Sequence, residues 1–263
     1  MIQRISFKEP SCFELSLPEG VPPFPLICLT PILGRFLFLD DLFWERRLAC
    51  FFASQGFAAA LIDRPIFEFE PTEGLEQIQK YLEASISRSQ RVLDLLLTRD
   101  EIQPKKIGSF GASFGAVINS LWAASDSRLK AHVFALAGGN LPEILVSSRD
   151  PLMRSYLKAI KALLTPAFSP QREENLKSIL KKSISIDPLT LAPSLPRENI
   201  FMVLARFDRV IRFRYGLALW QALGKPETLL LPLGHYTSLL ALPWLKWKVI
   251  EFFKKKLLGE NHS

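Results

Sequence analysis

The chain lacks the side chains that gather metals or staple small folds. It has three cysteines, Cys12, Cys28 and Cys50, and three histidines scattered along its length. An odd cysteine count without C-x-x-C spacing argues against a disulfide framework, and no H-E-x-x-H pairing is present, so neither a metal nor a cofactor is expected. It also lacks an uninterrupted apolar run of the roughly 18 to 20 residues that a membrane span needs. Pro22, Pro23, Pro25, Pro31, Arg35 and Asp40 break up the most apolar region. The opening MIQRISFKEP has no apolar core of a secretion signal. Together with the cysteine usage, this makes a cytoplasmic location the expectation.

A nucleotide fingerprint is missing as well. Gly108, Gly111 and Gly115 do not fit G-x-G-x-x-G, no Lys-Ser/Thr follows them, and the apolar run Ala131 to Ala137 ends without a ribose-binding carboxylate. The net charge of +7 invites a nucleic-acid partner, but the basic residues are dispersed among helices apart from Lys254 to Lys256 and Lys181 to Lys182. No aromatic-basic module accompanies them, so no nucleic acid is expected. Oligomeric state is not legible in the pattern.

What is present suits one α/β domain. At 263 residues with 48% hydrophobic content, the chain can bury a substantial core. Gln3 to Lys8 and Cys12 to Leu17 alternate apolar and polar residues, as an antiparallel edge hairpin does. Phe24 to Leu29, Phe57 to Ile62, Ile107 to Phe110, Ala131 to Ala137, Asn199 to Ala205 and Thr228 to Leu231 are short apolar runs, fit for strands covered on both faces. Helical spacing lies between them at Leu42 to Gln55, Gly74 to Arg99, after Gly115, and at Tyr215 to Leu223, with a terminal helix at Trp244 to Leu258. Residues Phe67 to Glu73 read as an acidic surface loop. The alternation predicts a mostly parallel central sheet with helices on both faces. Leu141 to Ser185 breaks the rhythm, with helical segments near Leu152 to Leu164 and Arg172 to Ile179, and reads as a helical lid or cap insertion within that domain.

The most informative stretch is KKIGSFGASFGAVIN, starting at Lys105, in which Gly111 to Gly115 spell G-x-S-x-G between a strand and a helix. So tight a turn strains the backbone of Ser113, and it is tolerated only if the residues two positions away lack a clashing Cβ. The turn lifts the hydroxyl above the strand ends, beside the free N–H groups of a helix start. A serine hydroxyl needs a base, and histidine titrates in the right range. His132 lies inside a strand, where a core role is expected, and His262 is in the tail, leaving His235. A carboxylate must hold the imidazole tautomer. Asp208 follows a strand on the same rim, with Asp63 and Asp187 as competitors near other strand boundaries.

These residues resemble the α/β-hydrolase superfamily, whose partners run Ser, Asp, His along the chain. Within it the sequence looks most like dienelactone-hydrolase-like and prolyl-oligopeptidase-like serine esterases and peptidases. The similar blocks are SRSQRVLDLLLTRDEIQPKKIGSFGASFG, DSRLKAHVFALAGG, DPLTLAP, IFMVLARFDRVIRF and LLLPLGHYTSL. The resemblance implies Ser113 as nucleophile, Asp208 as acid and His235 as base. It further implies an oxyanion hole from the N–H of Phe114 and one from the loop after Leu29. That loop departs from the usual His-Gly start; Pro31 has no N–H, which leaves Ile32, with Leu33 as the alternative. Apolar residues around the elbow favour a small-molecule ester with a lipophilic acyl group. The other readings are a catalytically silent scaffold of the same fold that binds a ligand or protein, and a serine peptidase.

Overall fold

A computed structural model of the chain describes residues 3–7, 13–32, 42–65, 76–163 and 172–260. Among these, eight strands form one sheet: β1 (Gln3–Phe7), β2 (Phe13–Leu17), β3 (Phe24–Thr30), β4 (Ala58–Ile62), β5 (Ile102–Ala112), β6 (Ala131–Ala135), β7 (Ile200–Ala205) and β8 (Glu227–Leu231). Their spatial order is β1-β2-β4-β3-β5-β6-β7-β8. The pairs β1–β2 and β2–β4 are antiparallel, and β4 through β8 are joined by parallel pairings.

The continuous apolar runs are what a sheet buried on both faces requires. In β3, Leu26 and Cys28 point into one layer with Val92 and Leu96 of α2 (Gln77–Leu96), Trp122 of α3 (Phe114–Ser125) and Leu219 of α8 (Phe213–Ala222). Ile27 and Leu29 point into the other, with Leu48 and Phe52 of α1 (Phe43–Ser54) and Val249 and Phe253 of α9 (Leu242–Phe253). A third cluster joins α4 (Leu141–Ser147), α5 (Pro151–Leu163) and α6 (Arg172–Ser183) to α2 and α3 through Ile144, Tyr156, Leu176, Leu82 and Val117. The chain leaves β3 for β4 on one side and returns to β5 on the other. The crevice outside the carboxyl ends of β3 and β5 is therefore where a ligand can enter.

Several boundaries differ from the sequence expectation. Strand β5 runs from Ile102 rather than Ile107, because Phe24 pairs with Ile102 across a register irregularity that accommodates Pro104. Strand β6 ends at Ala135, since Leu136 turns left-handed with φ 55°. Helix α4 lies outside the expected helical segments of the insertion. Asn140 and Leu141 donate their N–H groups to the Asp187 carboxylate, so a side chain distant in sequence starts the helix. The acidic stretch 67–73 and the tail around His262 lie outside the described residues.

His132 is a core residue, as expected. It is 3% exposed and its Nδ1 is 3.0 Å from Ser109 Oγ. Burial pushes its pKa from 6.5 down to about 4. Between those values the unfolded chain binds a proton that the folded one refuses, so stability falls as the pH drops through that window. The loss is about 3 kcal/mol by pH 4. His132→Asn should flatten this part of the acid limb in denaturant melts, whereas an unchanged limb would assign the acid sensitivity elsewhere.

Candidate functional site

Ser113 links β5 to α3 with φ 53° and ψ −126°, a region that non-glycine residues avoid. The strain is held from several sides. Ser113 N–H donates to Ala135 O at 2.8 Å, and Ser113 O accepts from Ala116 and Val117 N–H. The Thr30 hydroxyl lies 2.8 Å from Gly115 O and 3.2 Å from Phe110 O. A Cβ on Gly111 would come within 2.5 Å of Gly115 O, and one on Gly115 would overlap the carbonyl oxygens of Thr30 and Pro31. Backbone on both sides cannot yield as a side-chain tip would. Gly115→Ala should therefore destabilise the protein by about 3 kcal/mol through overpacking, although alanine is the better helix former. Thermal melts check this, and a variant as stable as the parent would show the contact to be slack.

The other two residues arrive from the far half of the sheet. Arg206 and Phe207 donate N–H bonds to Leu231 O and Leu233 O, both at 2.9 Å. The loops after β7 and β8 are thus stitched together beyond the strands they follow. This brings His235 Nδ1 to 2.6 Å from Asp208 Oδ2 and His235 Nε2 to 2.8 Å from Ser113 Oγ. Asp208 Oδ1 accepts N–H bonds from Val210 (2.8 Å) and Ile211 (2.9 Å), which fixes the carboxylate plane. A carboxylate only accepts, so Nδ1 carries the proton and Nε2 is left to accept from the serine hydroxyl. Both side chains are buried, at 2% exposure for Asp208 and 8% for His235. The competing carboxylates are occupied elsewhere: Asp187 caps helices α4 and α7 (Pro188–Leu191), and Asp63 accepts from Arg64 N–H.

A cleft of about 60 Å³ opens beside Ser113, lined by Phe114, Val117, Leu141, Ile144, Met153 and Ile211 among others. Phe114 and Gly115 N–H belong to the first turn of α3, which has no acceptor of its own for them. The loop after β3 behaves differently. Ile32 N–H donates to Glu45 Oε1 at 3.1 Å, and Arg64 donates to Ile32 O at 3.0 Å. Burial raises the Glu45 carboxyl above its ordinary range, while the Ile32 N–H and nearby arginines act against that rise. Leu33 lies outside the described residues.

Two features escaped the sequence reading. Asp150 caps α5 by accepting Met153 N–H, and it also accepts the Tyr236 hydroxyl at 2.8 Å. The Tyr236 ring stands edge-on to His235, with centroids 5.4 Å apart. The Asp150-Pro151 pair was a legible helix start, but its reach to Tyr236 depends on tertiary structure. The second feature is an arginine cluster around Asp208 that local composition made look dispersed.

No protein-family model matches the chain, and no curated protein does. Among solved structures it is similar to an acetyl xylan esterase from Paenibacillus sp. R4, with TM-score 0.65, 16% identity, and 98% of this chain and 88% of that one covered. A cold-adapted esterase from an Arctic intertidal metagenomic library gives TM-score 0.62 and 16% identity, covering 97% of this chain and 93% of that one. An acylaminoacyl peptidase from Pyrococcus horikoshii gives TM-score 0.68 and 13% identity, covering 100% of this chain but 42% of that one. At such identities the likeness is one of fold.

Proposed function

From the α/β-hydrolase fold of this chain we propose that it is a serine hydrolase cleaving a carboxylic ester, thioester or amide of a lipophilic acyl group through an acyl-serine intermediate. The observation that carries this reading is the unbroken hydrogen-bonded row from Ser113 Oγ through the His235 ring to Asp208. In the proposed reaction His235 Nε2 takes the Ser113 proton as Oγ attacks the carbonyl carbon. The tetrahedral oxyanion accepts the Phe114 N–H. Collapse breaks the bond to the leaving group, which takes the proton back from His235, and water then repeats the sequence to release the acid. Asp208 holds the imidazole tautomer throughout.

Ile32 N–H is the second proposed donor, and it must leave Glu45 to serve. The apolar cleft beside Ser113 would take the acyl group. Segment 141–185, whose helices supply Leu141, Ile144 and Met153 to that cleft, is proposed as a cap over it. A panel of short and medium p-nitrophenyl esters, with Ser113→Ala as control, tests the reading. The parent should turn over at least one ester with saturation, and the control none. Comparable rates in both would remove the serine from the reaction.

A further inference from the structure

We infer that the cleft on the outer side of the Asp208 loop is a binding site for the phosphate group of a ligand. Arg149, Arg206, Arg209, Arg212 and Arg214 all line it, and the one carboxylate among the lining residues is Asp208. That carboxylate is already engaged by the N–H groups of Val210 and Ile211 and by His235. Arg214 donates to the Tyr215 hydroxyl and lies 3.8 Å from Glu143, while Arg206 sits over the Phe213 ring at 4.8 Å. Among the described residues, Arg149, Arg206, Arg209 and Arg212 have no carboxylate within ion-pair distance.

A surface that merely needs solvation spreads like charges apart, because each close pair repels. Here the backbone fixes them together. Arg149 N–H donates to Arg209 O at 3.2 Å, which fastens the α4–α5 connection to the Asp208 loop. Helix α8 starts at Phe213 on the same cleft, adding the positive end of a ten-residue helix dipole. Guanidinium groups match phosphate oxygens in paired hydrogen bonds, and the summed charge of several on one shallow surface favours a multiply charged anion over a single carboxylate. The hollow, about 540 Å³ and open to solvent, has room for the body of a ligand beyond the phosphate. It adjoins the acid of the proposed relay without including Ser113, so occupancy is measurable whether or not the chain hydrolyses esters.

The test is calorimetric titration of the full chain with inorganic pyrophosphate at about 0.15 M salt, where loose surface attraction is screened. Three proteins are compared: the parent, Arg149→Gln/Arg209→Gln, and Lys254→Gln/Lys255→Gln, which removes the same charge from the terminal helix. The expected result is saturable binding to the parent and the lysine control, weakened at least tenfold in the arginine variant. Arg149→Gln alone, at an exposed position, should give a smaller loss in the same direction if the double variant folds poorly. Absence of saturable binding to the parent, or equal affinity in all three proteins, overturns the inference; so does equal loss in both double variants. Sedimentation with phosphatidic acid vesicles separates the two sources of this chemistry. Vesicle binding displaced by pyrophosphate assigns a lipid headgroup, and pyrophosphate binding without vesicle association assigns a soluble phosphorylated molecule.

Discussion

Ser113→Gly is expected to lose ester turnover by about a million-fold, yet to be more stable than Ser113→Ala. The activity loss follows from removing the proposed nucleophile, since the remaining members of a relay accomplish little without it. The stability order follows from the backbone. Both variants lose the hydrogen bond to His235 Nε2, so their difference isolates the conformation at φ 53° and ψ −126°. Glycine populates that region freely, whereas alanine carries strain of about 1–3 kcal/mol there. Glycine's greater unfolded-state entropy takes back roughly 0.5–1 kcal/mol. A net advantage of about 1 kcal/mol should appear as a melting temperature roughly 2–4 °C above that of Ser113→Ala. Alanine would be the more stable at an unstrained position, so the opposite order would contradict the strained elbow.

Asp208→Asn carries the second large effect. The asparagine oxygen can keep the bonds from Val210 and Ile211 N–H, which come to one carboxylate oxygen. Its amide then faces His235 Nδ1 with a donor where the carboxylate had an acceptor. The imidazole answers by moving its proton to Nε2, the nitrogen that should accept from Ser113. Turnover should fall about ten-thousand-fold, the scale of a wrong tautomer, with the melting temperature little changed. Partial recovery at alkaline pH, where the serine proton is lost more easily, would agree with this cause. A loss of activity matched by a loss of folding would instead make Asp208 a structural loop anchor.

Much of the sheet was legible because its central strands are continuous apolar runs ended by recognisable breakers. Phe24 to Leu29 stops at Thr30 and Pro31, and Asn199 to Ala205 stops at a charged turn. Ser113, Asp208 and His235 stood out for the same reason, each falling just after such a run. Their convergence is a consequence of parallel strands delivering successive carboxyl ends to one rim. What could not be read depended on partners distant in sequence. Helix α4 takes its start from Asp187, and Tyr236 is held by Asp150. Ile32, implied by the resemblance as an oxyanion donor, gives its N–H to Glu45, a residue thirteen positions on. The arginines at 206, 209, 212 and 214 looked like ordinary loop and helix charges. They line one hollow where a backbone bond joins Arg149 to Arg209 and the chain turns into α8.

In the proposed reaction His235, oriented by Asp208, activates Ser113. Labelling with a fluorophosphonate, read by mass spectrometry of the peptide containing Ser113, tests it without knowledge of the substrate. Stoichiometric modification at Ser113 is expected in the parent and none in folded His235→Ala. Modification of both at equal rates, or of neither, would contradict it.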